Sequence, residues 1–201
     1  HGLGRVWALG TKTAHETRDG GLTWESEEHW PRCGFRIRDL AVSPRAARRL
    51  FAGDDGNRRM LASADAGASW QALDRVFDSD LGDVVVDLDG QVMVAHGNKV
   101  SRSGDDGQSW QTAPAGQAPA RLATDPQGAA FHHQAASSGY FRSIDGGAHW
   151  QHLGNGNPFF AAYSDLAVDP NLGSRVYLLR RVPLVFFVSN DMSGTITIKD
   201  S

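Results

Sequence analysis

The chain is 201 residues long with a formal net charge of −3, which allows one substantial core and lacks the basic surplus that a nucleic-acid partner requires. Its single cysteine, Cys33, excludes an internal disulfide framework and a cysteine metal cluster. No apolar run is long enough to span a bilayer; Val182-Pro-Leu-Val-Phe-Phe-Val188 is too short and falls where a strand is expected.

Alternation, β-branched content and turn signals predict short strands from one end to the other. Arg5–Leu9 and Thr13–Glu16 come first. A four-strand unit follows, with strands predicted at Arg36–Val42, Arg49–Ala52, Arg59–Ser63 and Ser69–Ala72. The same order recurs at Asp83–Val86, Gln91–Ala95, Lys99–Ser101 and Ser109–Gln111, and again at Ala120–Ala123, Ala129–His132, Tyr140–Arg142 and His149–Gln151. A last unit has Ser164–Val168, Arg175–Leu179, Val185–Val188 and Thr195–Ile198. Turns of one kind join first and second strands: Ser43-Pro-Arg45, Asp87-Leu-Asp-Gly90, Asp125-Pro-Gln-Gly128 and Asp169-Pro-Asn-Leu-Gly173, where Pro or Gly enforces reversal. The units run about 1–34, 35–80, 81–117, 118–158 and 159–201, and the first lacks its first strand. That gap leaves either a piece of a longer, six- or seven-unit ring or a five-unit ring that tolerates an incomplete member; the fragment is the preferred expectation.

Between third and fourth strands one motif returns. Thr17-Arg-Asp19-Gly-Gly21-Leu-Thr23-Trp24, Ser63-Ala-Asp65-Ala-Gly67-Ala-Ser69-Trp70, Ser103-Gly-Asp105-Asp-Gly107-Gln-Ser109-Trp110 and Ser143-Ile-Asp145-Gly-Gly147-Ala-His149-Trp150 share the pattern Ser/Thr-x-Asp-x-Gly-x-Ser/Thr-Trp, with His149 the deviation. A decayed fifth copy centres on Asp191, with Ile196 in place of Trp. The aspartates are spaced by 46, 40, 40 and 46 residues, a period that belongs to β-propeller blades. An Asp heading a tight turn accepts main-chain N–H bonds, Gly two places on supplies backbone freedom, and the preceding hydroxyl joins the network. Trp is expected to start the outgoing strand and to bury its ring against the next unit. Five equivalent aspartates read as structural staples and not as a catalytic site, which a fold normally builds once.

The motif resembles the Asp box of the BNR-repeat proteins: sialidases, oligoxyloglucan-hydrolysing enzymes, sortilin-type receptors, and photosystem II assembly factors with their bacterial relatives. The resemblance covers essentially the whole chain. It implies an all-β fold, a β-propeller of four-stranded antiparallel blades with about five repeats present and the first incomplete. It favours an extracytoplasmic location, and the preference for Arg over Lys is in keeping with a GC-rich bacterial genome. Phe35-Arg36-Ile37 is also similar to the Phe-Arg-Ile-Pro motif of sialidases, but Arg38 stands in place of Pro and the segment falls after the first box. It reads as an ordinary first strand.

In this topology the boxes and the first-to-second turns share one face, and the remaining loops share the other, where such propellers bind near the channel mouth. Weak catalytic candidates there are Glu28, Asp54, Asp55 and Asp80. Trp30, Phe159, Phe160 and Tyr163 are candidates for stacking on a ligand. His132 and His133 are adjacent in a strand and point to opposite sides, so no metal is assigned, and no cofactor is expected. Two functions follow: a module binding a glycan or protein partner through the loop face, or a glycoside hydrolase with paired carboxylates. A sialidase mechanism, with three arginines and a Tyr nucleophile, is less well supplied. The oligomeric state and the ligand are not legible.

Overall fold

The computed structural model of the chain describes residues 6–9, 14–26, 36–114, 119–124, 131–135, 139–153, 163–169, 176–180, 186–189 and 196–199. These residues form strands, turns and bends, with no helix among them that could cross a membrane. They build five antiparallel sheets, each a meander in chain order.

Sheet I has three strands, β1 (Val6–Leu9), β2 (Ala14–Thr17) and β3 (Glu25–Ser26). Sheet II has four: β4 (Ile37–Val42), β5 (Leu50–Asp54), β6 (Arg59–Ser63) and β7 (Gln71–Val76). Sheet III repeats them as β8 (Leu81–Val86), β9 (Val92–His96), β10 (Lys99–Ser103) and β11 (Gln111–Pro114). Sheet IV is β12 (Pro119–Thr124), β13 (Phe131–Ala135), β14 (Gly139–Ser143) and β15 (Gln151–Leu153), and sheet V is β16 (Tyr163–Val168), β17 (Val176–Arg180), β18 (Phe186–Ser189) and β19 (Ile196–Lys199). The expected strands are present, and among the described residues sheet I has three strands.

Burial is graded across each sheet. Every residue of β5 and of β9 is buried, whereas β7 is mostly exposed. A second strand is covered on both faces by neighbouring sheets, which is why Val92-Met-Val-Ala95 reads as an unbroken apolar run. Phe51, Met60 and Ala62 of sheet II close a core with Phe77, Leu81, Val84, Val92 and Val94 of the following segment. Met93, Ala95 and Val100 of sheet III do the same with Leu122 of sheet IV. First strands stand side by side, β4 beside β8, β8 beside β12 and β12 beside β16.

The turns between third and fourth strands have one geometry. The Ser63 hydroxyl donates to Asp65 (2.8 Å) and accepts the Gly67 N–H (2.8 Å), while Asp65 accepts the Ser69 N–H (2.9 Å) and hydroxyl (2.6 Å). Ser103, Asp105, Gly107 and Ser109 repeat this bond for bond. In sheet IV the hydroxyl donor is replaced by the His149 ring, whose Nδ1 lies 2.6 Å from Asp145. Bonds from the Ser109 hydroxyl, the Ser109 N–H and Ser103 hold the Asp105 carboxyl down at about 2.

Two details differ from expectation. The fourth strand starts one residue after Trp, at Gln71, Gln111 and Gln151, because the indole folds back onto its own turn: Trp110 Nε1 donates to the Gly107 carbonyl at 2.9 Å. The ring also packs against the preceding sheet, not the next one. Trp110 meets Phe77 edge-on at 5.4 Å, and Trp150 joins the cluster around Met93.

Each turn uses two successive residues with positive φ, the second always Gly (Gly67 92°, Gly107 87°, Gly147 81°). At Gly107 a Cβ would also lie 2.2 Å from Leu73 Cδ1, so Gly107→Ala is expected to cost about 2–4 kcal/mol from backbone strain and overpacking. Gly104, with nothing within 4 Å of its Cβ direction, should accept Ala within about 0.5 kcal/mol. Urea denaturation of the two variants checks the contrast.

Candidate functional site

On the loop face the best-described feature is the turn between β5 and β6. Asp54 is fully buried. One of its oxygens accepts the Arg36 N–H (2.8 Å) and the Gly56 N–H (3.1 Å), the other the Asn57 side-chain amide (2.6 Å). This carboxylate ties the entry of β4 to the turn beside it. Asp55 accepts the Leu81 N–H at 3.1 Å and so ties the same turn to sheet III.

Beside them runs a chain of polar side chains. His96 is buried, with Nδ1 3.0 Å from Asp78 and Nε2 2.8 Å from the Ser101 hydroxyl. Ser101 in turn meets the Thr112 hydroxyl at 2.7 Å, and Thr112 accepts from Arg75 at 3.0 Å. Arginine can only donate and a carboxylate only accept, so with a neutral imidazole, which burial of His96 favours, the bonds run one way: Arg75 to Thr112 to Ser101 to His96 to Asp78. Lys99 pairs with the second Asp78 oxygen, and Lys99 first and His96 second hold that carboxyl at about 2. Serine, histidine and aspartate thus stand in the order of a hydrolytic triad. Ser101 is wholly buried, however, and its Oγ is already bonded on both sides, so the chain braces sheets II and III and is not a nucleophile site. Phe77 caps it, its ring 4.9 Å from His96 and under the Arg75 guanidinium at 5.0 Å.

A second charged series follows the first strands. Asp39 of β4 accepts the Val84 N–H of β8 at 2.7 Å, and Asp83 of β8 accepts the Leu122 N–H of β12 at 3.0 Å together with the Arg121 guanidinium at 2.9 Å. Asp39, Asp83, Arg121 and Asp165 occupy matching positions of β4, β8, β12 and β16. Register shifts lie between Ile37 and Asp39, Pro119 and Arg121, and Tyr163 and Asp165. Such bulges re-aim a side chain at a strand entry, and in β4 the displaced residue is Arg38. Arg36, Arg38 and Arg58 are exposed there. Arg58 reaches the Asp78 carbonyl (3.3 Å), and no acid pairs with these three arginines among the described residues.

On the opposite face a cleft of about 620 Å³ between sheets II and III is lined by Arg45, Arg48, Arg49, Asp89, Asp105 and Asp106. Its charges cancel within the cleft through Arg45–Asp89 (2.7 Å) and Arg49–Asp106 (3.4 Å).

Of the residues named from sequence, Glu28, Trp30, Phe159, Phe160 and Asp191 lie outside the described residues. Tyr163 opens β16, and Asp80 is exposed in the loop before β8. Asp54 and Asp55 accept main-chain N–H groups, as do Asp19, Asp65, Asp105 and Asp145 in their turns, where Trp24 and Trp110 donate to the Gly21 and Gly107 carbonyls and the Trp70 and Trp150 rings lie against Gly67 and Gly147. The described residues hold no cluster of three metal-ligating side chains. The sequence reading missed His96, Asp78 and Ser101, whose proximity has no sequence signal. It also missed Asp39, Asp83 and Arg121, which an alignment of the four first strands would have singled out.

No family model matches the sequence. The chain is 26% identical over 195 residues to a xyloglucanase from Paenibacillus sp, an alignment that takes in 86% of this chain and 18% of that enzyme. Among solved structures it resembles YCF48 bound to D1 peptide, with a TM-score of 0.71 and 20% identity over 97% of this chain and 64% of that one. It likewise resembles the GH74 enzyme of Niastella koreensis, with a TM-score of 0.71 and 14% identity over 98% and 30% of the respective chains. The chain spans less than two thirds of each of these three proteins. These solved neighbours are β-propellers, and the likeness shows that fold.

Part-buried Asp39 and buried His96 act in opposite directions on acidification. Burial raises the Asp39 carboxyl to about 6, against the pull of the Val84 N–H. The folded chain takes up that proton first, so the stability this group adds is full below 3.8 and lost as pH rises through about 6. Burial lowers His96; the unfolded chain is protonated first there, and stability is lost as pH falls below 6.5. Asp39→Asn is therefore expected to remove about 2–3 kcal/mol of acid-side gain and to steepen the fall in stability below pH 6. His96→Gln should flatten it, and urea titrations across this range read both.

Proposed function

We propose that the chain is a binding module, a β-propeller of about five blades with BNR-type Asp-box turns and an incomplete first blade, which takes a protein partner through its loop face. The observation that carries this reading is the set of exposed arginines at the entry of β4. Arg38 is turned outward by a bulge, with Arg36 and Arg58 beside it. A guanidinium with no acid partner among the described residues is suited to a carboxylate or another anionic group of a peptide. Support also comes from the likeness to YCF48, which is bound to a peptide. Rigid turns suit such a task, since a preformed surface avoids the entropy of ordering loops on binding.

A glycoside hydrolase is the second reading, favoured by the 26% identity to a xyloglucanase. It needs two carboxylates facing each other across the substrate, one of them protonated. With Asp54 and Asp55 committed to main-chain N–H groups, Asp80 and Glu28 remain as its candidates, and Trp30, Phe159 and Tyr163 as stacking residues for a sugar.

Titration with a panel of acidic and neutral peptides is expected to give binding to the acidic set, weakened about ten- to a hundred-fold in an Arg36→Ala/Arg38→Ala variant and by added salt. Xyloglucan turnover abolished by Asp80→Asn or Glu28→Gln, with peptide binding absent, would instead establish the hydrolase.

A further inference from the structure

Successive sheets are joined in different ways on the face of the third-to-fourth strand turns. Between sheets III and IV the joint is closed by two bonds: the Gln91 amide donates to the Gly146 carbonyl at 2.9 Å, and the Arg102 guanidinium to the Asp145 carbonyl at 3.3 Å. Counted along the strands, the positions of Gln91, Arg102 and Gly146 are taken between sheets II and III by Arg49, Ala62 and Asp106. Ala62 has no donor to give, Arg49 goes to the Asp106 carboxylate, and the joint stands open as the cleft of about 620 Å³.

One wall of the cleft is the turn from β4 to β5, which carries three arginines. Arg45 reaches across to the Leu88 carbonyl (2.9 Å) and Asp89 (2.7 Å). Arg48 is exposed and has no acid partner among the described residues. The Arg49 side chain, 25% exposed, lies over the Phe51 ring at 5.1 Å; its Nη2 is 3.4 Å from Asp106, and its Nε is buried with no hydrogen-bond partner. A guanidinium has five N–H donors, and this one is left largely unsatisfied.

Asp106 has φ of 60°, the left-handed conformation that Gly146 holds in the matching turn at 66°, and a residue with a side chain adopts it at a cost. Its carboxylate is 55% exposed and its approach to Arg49 is long, so the pair contributes little. Asp105 beside it is no rival for the arginines, because its oxygens are taken by Ser103 and Ser109. The Asp106 carboxylate thus occupies a place that a stronger acceptor can take.

We propose that this cleft binds a small phosphate monoester, whose phosphate displaces Asp106 from Arg49 and bridges Arg49 to Arg48. A phosphate offers three terminal oxygens and up to two charges, against two oxygens and one charge for a carboxylate, and so can engage both guanidinium groups at once. No aromatic ring lines the cleft, so an apolar ligand finds no platform there. The volume is that of a small-molecule site and more than a bare phosphate fills. Asp89 and Gln108 line the remainder and accept hydroxyl protons, which suits a short hydroxylated body. This site lies on the face opposite the arginine surface proposed above and does not depend on it.

Calorimetric titration of the 201-residue chain with glycerol 3-phosphate, inorganic phosphate and glycerol tests the assignment. Glycerol 3-phosphate is expected to bind, inorganic phosphate to bind more weakly, and glycerol to give no heat. Arg48→Ala, an exposed substitution that leaves the core untouched, should weaken binding about ten- to a hundred-fold, as the loss of a charged hydrogen bond dictates. Asp106→Gly, which gives this turn the residue of its counterpart Gly146, should tighten binding about two- to fivefold by removing the competing carboxylate. Arg36→Ala/Arg38→Ala should leave it within roughly twofold. The proposal is overturned by weaker binding in Asp106→Gly, by binding unmoved in Arg48→Ala, by equal affinity for free phosphate and the monoester, or by no binding to the unaltered chain.

Discussion

An aspartate side chain accepting main-chain N–H groups is the interaction on which this architecture depends. It appears in three settings. Within the turns, Asp65, Asp105 and Asp145 fix the reversal between third and fourth strands. At the strand entries Asp54 holds Arg36 and Gly56. Between sheets, Asp39 and Asp83 each reach the backbone of the next first strand. In every case main-chain N–H groups that would otherwise need water receive a side-chain acceptor. The apolar core then packs between faces whose separation is already set.

This dependence explains which acidic residues can do chemistry. A carboxylate with both oxygens bonded to the frame is held in place, and a nucleophile cannot be made from it without breaking those bonds. Asp54 is such a group. Basic residues are under no such demand, since the main chain of these turns offers them little, and those at the bulged entry of β4 remain exposed. Acids hold the scaffold together, and Arg36 and Arg38 stand exposed at the entry of β4.

Much of the fold was legible because its units repeat. The period of the aspartates gave the sheets, and alternation gave most strand ends to within two residues. Individual turns could be read because hydroxyl, carboxylate and glycine act within eight residues of one another. What stayed hidden depends on contacts between sheets. That Trp110 folds onto Gly107 and faces Phe77, rather than opening its own strand, follows from the room left by the preceding sheet. The row from Arg75 to Asp78 joins residues of four segments, which no local pattern announces. For the site, loop composition does not separate Asp54 from Arg38, because an acid bonded to the frame and an exposed base are equally polar on paper.

The replacement of a hydroxyl by the His149 ring shows how tolerant the repeat is. The turn needs an N–H or O–H at one point, and a chemically different side chain delivers it at the same 2.6 Å. Because each sheet touches mainly its two neighbours, such a change is felt locally and fades within a sheet or two. Sequence drift in one unit therefore leaves the others free to keep or alter their loops independently, and a single scaffold can diversify its rim one segment at a time.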